Sequence, residues 1–352
     1  MKKKVVFSIC VVFILISCTK KEVALPKEPL SPTEQFVLQK LMTDKGLLRT
    51  DLTDQKELFL SESVGLWLAY LLEKDDQIRF DEQVQVIKTF FLTNNFMVWR
   101  IEGTKKASVT ALIDDLRVIR VLLEAGEKWD NASYIQLGKE IGENLKRFGM
   151  VDGLFVDFVD VHSHDKANTL TMCYIMPAAF QQMAEHDLLS QEQMEQQITI
   201  LQNTPVSKEG FFPKYYDLFS KSYVFDEELH MIEQLYTAYH LASIKKDTTP
   251  FKNWLFDLLA RDDKLYGRYD AETNKPAVKY ESPAVYAMAA RYMLELNEQQ
   301  MAQQFLDKMT ALKDDPKTGY VDYYTKSTHI FDNLLPLLAE REVNNAHNDE
   351  LE

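Results

Sequence analysis

From residue 31 onward the apolar residues recur three and four apart, segment after segment, and these segments are of two kinds. Leu58 to Leu72 and Leu170 to Met183 are apolar around most of the circumference. Phe80 to Phe91, Ser133 to Arg147 and Asn297 to Met309 carry one charged or polar face. A helix of the first kind must be enclosed on all sides, whereas one of the second kind can cover it and still meet water. Their rough alternation predicts an all-α chain with an inner and an outer ring. The spacing places helices near 31–44, 59–73, 80–93, 107–125, 131–148, 167–186, 190–203, 226–244, 249–261, 281–296, 297–312 and 326–340. A toroid of six helical hairpins satisfies this pattern. An open solenoid would also satisfy it, although no repeat of fixed period is present. Two starts are written in the residues: Ser31-Pro32-Thr33-Glu34, and the box Ser190-Gln191-Glu192-Gln193. With 11 glycines, 11 prolines and no linker rich in them, residues 31–340 read as a single domain, and 341–352 as an acidic flexible tail.

The N-terminus carries an address. Lys2, Lys3 and Lys4 precede an apolar run from Val5 to Ile16, of signal-peptide length and short for a transmembrane helix. Leu15-Ile16-Ser17-Cys18 closes it and resembles the lipobox of bacterial lipoproteins. Residues 1–17 are therefore expected to be a signal peptide, Cys18 to carry the lipid, and 18–30 to be a tether. Two acyl chains hold a protein on a membrane where one does not, so the expected location is extracytoplasmic and lipid-anchored. Cys10 would leave with the signal peptide, so Cys173 has no disulfide partner. The formal net charge of -14 argues against nucleic acid and tolerates a neutral or cationic substrate better than a polyanion.

Two loops, Gly210 to Phe225 and Leu265 to Tyr280, interleave aromatic rings with carboxylates and amides. Carbohydrate clefts use that mixture, because sugars offer C–H faces for stacking and hydroxyls for hydrogen bonds. Buried loops of any helical protein need aromatics too, and composition alone does not separate the two. The pair His162 and His164, two apart with no further ligand pattern, is too little for a metal site.

Four segments, in order, resemble glycoside hydrolase family 8. Ser61-Glu62-Ser63-Val64-Gly65-Leu66-Trp67 resembles the family segment Ser-Glu-Gly-Gln-x-Tyr-Gly, whose glutamate is the general acid. Trp99-Arg100-Ile101 and then Ala111, Asp115, Val118, Leu122, Ala125 and Trp129 keep the spacing of the family's aspartate segment. There the first aspartate of the family's pair falls at Ile113, with Asp114 beside Asp115. Tyr174-Ile175-Met176-Pro177-Ala178-Ala179-Phe180 resembles Ser-Tyr-x-x-Pro-Ala-x-Phe/Tyr, and Tyr223-Val224-Phe225-Asp226 resembles Tyr-Ser-Tyr-Asp, whose aspartate is the base in many members. The family's arginine three residues on is Leu229 here, with His230 next.

The resemblance implies an (α/α)6 barrel with an open cleft and inverting hydrolysis of a β-1,4-linked polysaccharide. It makes Glu62 the acid and Asp226 the base, with Asp114 or Asp115 holding sugar hydroxyls, Tyr174 shaping the cleft floor, and Trp99, Tyr223 and Tyr280 lining subsites. It implies no metal and no organic cofactor. A surface-tethered member points by analogy to exopolysaccharide, acting as a monomer. Ile113 and Leu229 favour the competing expectation, a non-catalytic glycan-binding lipoprotein on the same scaffold. A helical scaffold with no saccharide affinity is a third.

Overall fold

The computed structural model describes residues 28–322 and 324–349. The expected signal peptide, Cys18 and the tether up to residue 27 lie outside the described residues. Among those described, twelve α-helices pair into six hairpins. The inner members are α2 (Ser61–Glu73), α4 (Leu112–Lys128), α6 (Pro177–Glu185), α8 (Met231–Ser243), α10 (Pro283–Glu295) and α12 (Phe331–Asp349). The outer members are α1 (Pro32–Phe36, continued by a π-turn to Leu41), α3 (Gln77–Val86), α5 (Ala132–Phe148), α7 (Gln191–Gln202), α9 (Thr249–Asp262) and α11 (Gln299–Thr310). Contacts run from α2 to α4, α4 to α6, α8 to α10 and α10 to α12; the 3-10 turn Met172–Tyr174 before α6 joins α4 to α8, and α12 returns to α2, so the ring closes and the solenoid alternative is excluded.

Burial follows the two kinds of helix. Along α2 every residue from Ser61 to Leu72 except Glu62 is buried, and α10 buries Ala284 to Ala290 without a break. The outer α5 buries only the stripe Tyr134, Leu137, Gly138, Ile141, Gly142 and Leu145. Each large apolar side chain on such a stripe contributes roughly 1.5–3 kcal/mol by leaving water. α4 and α5 pack closely enough that a Cβ at Gly126 would lie 2.3 Å from Ile135 Cγ1, so only glycine fits.

Both predicted starts are present, with different outcomes. Ser190 and Gln193 form the full reciprocal box. Ser31 Oγ caps Glu34 N, but the Glu34 side chain turns inward instead and accepts from Tyr70 Oη at 2.9 Å and from Lys74 Nζ. The three inner helices expected to begin at 107, 167 and 226 begin later, at Leu112, Pro177 and Met231. The short strands Thr169–Thr171 and Glu228–His230 take up residues expected in the second and third of these helices. Residues 341–349, expected as a flexible tail, continue α12: Val343 is buried and Arg341 pairs with Glu28 at 2.7 Å.

The strands form short antiparallel pairs at one end of the barrel. Leu58–Leu60 pairs with Arg100–Glu102, and Glu228–His230 with Arg268–Asp270. Ser222–Val224, Tyr215–Asp217 and Thr169–Thr171 make a third small sheet. Because these strands lead into α2, α6 and α8, they fence the end at which the inner helices start.

Candidate active site

Four inner helices carry a carboxylate in their first turn: Glu62 on α2, Asp114 and Asp115 on α4, Glu233 on α8 and Asp332 on α12. A helix N-terminus favours negative charge there, and the common direction of the inner helices brings them to one end. Glu62, Asp114 and Glu233 line one cavity of about 190 Å³, with Ile113, Arg117 and Tyr174 around them. A larger groove of about 1440 Å³ adjoins it, because Phe331 lines the cavity while the next residue, Asp332, lines the groove. Tyr280, Glu281 and Asp51 line the groove as well.

Ser61 holds the tip of α2. Its backbone N–H donates to the Trp99 carbonyl at 2.9 Å, and its Oγ donates to Asp114 Oδ2 at 2.6 Å. Arg117 Nη1 donates to Asp114 Oδ1 at 3.2 Å. Glu62 sits next to this cluster, half-buried. Burial, then the charge of Asp114, pushes its carboxyl up to about 7; Arg117 opposes this, and Asp332 adds to it. Glu233 is raised too, first by burial, while Lys214 pulls it down and Asp226 pushes it up. A carboxyl protonated near neutral pH, facing a second carboxyl across a cavity, can deliver a proton to an oxygen seated between them.

The structure brings together Glu62, Asp114 and Tyr174 from the expected set. Asp115 is buried away from the cavity, where burial and Asp114 push its carboxyl well up. Asp226 is half-exposed and does not line the cavity. It pairs with Lys214 at 2.5 Å. Partial burial pushes its carboxyl up, but the Lys214 bond and charge outweigh this and hold it below the ordinary value. Its charge still reaches Glu233. Tyr223 donates its hydroxyl to the Ile200 carbonyl and packs on Tyr216, so its ring is part of the loop's own packing. Trp99 is half-buried, with the Arg100 guanidinium 5.8 Å from its ring centre. Tyr280 stands in the groove, 52% exposed. Of the two departures, Ile113 lines the cavity, while Leu229 is a core residue paired across strands with Tyr269. Glu233 escaped the motif comparison, although an acidic residue opening an apolar helix is the same signal that marks Glu62.

Residues 4–218 match the model of the glycosyl hydrolases family 8. The chain belongs to that family. As a family 8 chain it is a glycoside hydrolase with the six-hairpin toroid, and the match spans Glu62, Trp99, Asp114 and Tyr174 but ends before Asp226 and Glu233. It is 38% identical over 322 residues to the Bacillus subtilis (strain 168) protein named "Putative lipoprotein YdaJ", covering 90% of this chain and 88% of that one. Its fold is similar to that of a novel alpha-amylase from Clostridium perfringens, with a TM-score of 0.80 and 23% identity over 88% of this family 8 chain and 96% of the other. It is also similar to PssZ from Listeria monocytogenes, with a TM-score of 0.74 and 27% identity over 91% and 98% of the two chains. Among the described residues no helix is long and apolar enough to cross a membrane.

Proposed function

We propose that the chain hydrolyses a β-1,4-linked exopolysaccharide with inversion, and that it does so outside the cell on a lipid anchor at Cys18. One observation carries the catalytic part: the Glu62 carboxyl, pushed up to about 7 by burial beside Asp114, lines a cavity that adjoins a larger groove. Glu62 is the acid that protonates the leaving oxygen. Asp114 meets the hydroxyls of the sugar in the cavity, and Tyr174 forms part of its wall. Asp226 is the base on the family pattern, kept ionised by Lys214 and near enough for its charge to raise Glu233. An inverting pair stands roughly 6.5–9.5 Å apart, leaving room for the attacking water.

A second reading of the base is favoured by the cavity itself. Glu233 shares it with Glu62, and Asp226 does not line it. Comparing Asp226→Asn with Glu233→Gln decides between them. The variant that loses about 10³-fold or more in kcat with KM little changed identifies the base.

The anchor is supported by the lipobox of residues 15–18 and by the name of the Bacillus subtilis relative. The Clostridium perfringens protein of similar fold is described as an alpha-amylase, so the substrate screen needs α-linked glucans beside β-linked exopolysaccharides. New reducing ends on a β-linked polymer, lost in Glu62→Gln, are the expected result. Binding without release by the wild type would instead support a glycan-binding lipoprotein, the reading that Ile113 in the cavity wall favours.

A further inference from the structure

Three carboxylates and one cation line the cavity: Glu62, Asp114, Glu233 and Arg117. Arg117 and Asp114 are buried together, their side chains each 6% exposed. Burial pushes the Asp114 carboxyl up, and three donors oppose it: the Arg117 guanidinium, the Ser61 hydroxyl and the Glu62 backbone N–H. A carboxylate from α4 thereby caps the first turn of α2, whose own N-cap residue, Leu60, has no side chain able to do so. Glu62 has none of these bonds through its carboxyl and meets Arg117 only as a nearby charge. The stem of Arg117 lies on Gly65, one turn along α2, where a Cβ would stand 3.0 Å from Arg117 Cδ. The arginine reaches the pair because that residue is glycine. In the family pattern given above, the position of Arg117 is unspecified.

We propose that Arg117 is a positioning residue for the Glu62–Asp114 pair: its guanidinium fixes the negative charge on Asp114 and thereby leaves the pair's proton to Glu62. The inference rests on the reading of Glu62 as the acid. Two buried carboxyls at close quarters do not both ionise near neutral pH, so they share one proton. Which of them carries it depends on where the donors point, and all three point at Asp114. The other groups facing the pair are Tyr174 and Cys173 before α6, Glu233 and Tyr236 on α8, Arg291 on α10 and Asp332 on α12. Arg291 makes two hydrogen bonds to Glu342, at 2.7 and 2.9 Å. Arg117 is the cation bonded to the pair itself.

The test is the alkaline limb of the pH–rate profile together with an infrared titration of the buried carboxyl in the full chain without substrate. Arg117→Met is expected to move the limb and the titration upward by about one unit or more, because the pair then gives up its shared proton without the cation that favours its ionised form. Asp114→Asn is expected to move both downward, because Glu62 keeps the cation and loses the neighbouring charge. Arg117→Lys, which keeps the charge, returns the limb to within about half a unit of wild type and covers the case in which the methionine variant does not fold. A loss of rate in Arg117→Met with the limb unmoved overturns the proposal and leaves Arg117 a packing residue. So does an upward shift in Asp114→Asn. Because Asp115 and Glu233 are raised as well, the readout is the difference from wild type: no carboxyl signal lost near pH 7 in Glu62→Gln refutes the reading of Glu62 as the acid, and a signal lost there in Glu62→Gln that does not respond to Arg117→Met refutes only this inference.

Discussion

Replacing Glu62 by glutamine should make the protein more stable, by an amount that grows with pH. In the folded chain, burial and the neighbouring aspartates raise this carboxyl from 4.5 to about 7. In the unfolded chain it returns to its ordinary value. Below that value both states hold the proton and the group adds no pH dependence. Between about 4.5 and 7 the unfolded chain releases its proton while the folded chain keeps it, so the folded state of the wild type loses stability as pH rises. Each unit costs about 1.4 kcal/mol, which over this window comes to about 3 kcal/mol, with a plateau above pH 7. Glutamine does not titrate, and the carboxylates that do not share a proton with Glu62 cancel in the difference. Urea unfolding of the two proteins at about pH 5, 6, 7 and 8 reads this directly. The difference should widen in favour of the glutamine variant by roughly 1 kcal/mol per unit up to pH 7 and then level off. A difference that stays flat across the series would falsify the idea that the fold holds Glu62 protonated. Activity lost and stability gained by one substitution is the signature of a group kept against its own preference.

Other buried groups carry consequences of the same kind. Lys74→Met leaves Glu34 buried without its cation and should lower stability by about 3–5 kcal/mol, with much of the loss recovered when Glu34→Gln is added; urea midpoints of the single and double variants check this. Gly126→Ala should cost about 1–3 kcal/mol, even though alanine favours a helix by about 1 kcal/mol, because its Cβ would overlap Ile135; a thermal melt is sufficient. Cys173 is buried, with its thiol pushed well above the ordinary value by burial, so it should resist a thiol reagent in the native protein and react fully in denaturant. Labelling of the native chain at the denatured rate would show that the cavity floor opens.

The ring architecture was legible because enclosure leaves a mark on composition. α2 can be apolar on every side only if other helices surround it, and its residues say so. The ends of helices were less legible for a physical reason. A three-residue strand such as Glu228–His230 is too short to establish a period of two before the helical period takes over, so the expected helix ran backward through it. Glu34 shows the other limit. Serine and glutamate three apart describe a capping box locally, but a buried lysine 40 residues away offered the glutamate a stronger partner. In the site, Glu62 was found from motif spacing, and Asp114 only as the neighbour, out of register, of the Asp115 that the spacing picked out. Glu233 and Arg117 were not, because a first-turn acid and one charge among several along α4 are read as surface features until the ring is closed. The aromatic loops divided between both readings: Tyr223 is packing, and Tyr280 stands in the groove.

The pairing of Glu28 with Arg341 has a geometric consequence for the anchored form proposed here. Arg341 lies in the later part of α12, and Lys74, at the end of α2, also reaches Glu28. Glu62 lies at the opposite tip of α2, a helix of 13 residues and hence about 20 Å long. The polypeptide therefore enters the toroid at the pole away from the groove. The ten residues from Cys18 to Glu28 can reach no more than about 36 Å. In the anchored form, so short a leash fastened at the base would hold the open mouth outward, toward polymer already clear of the lipid surface.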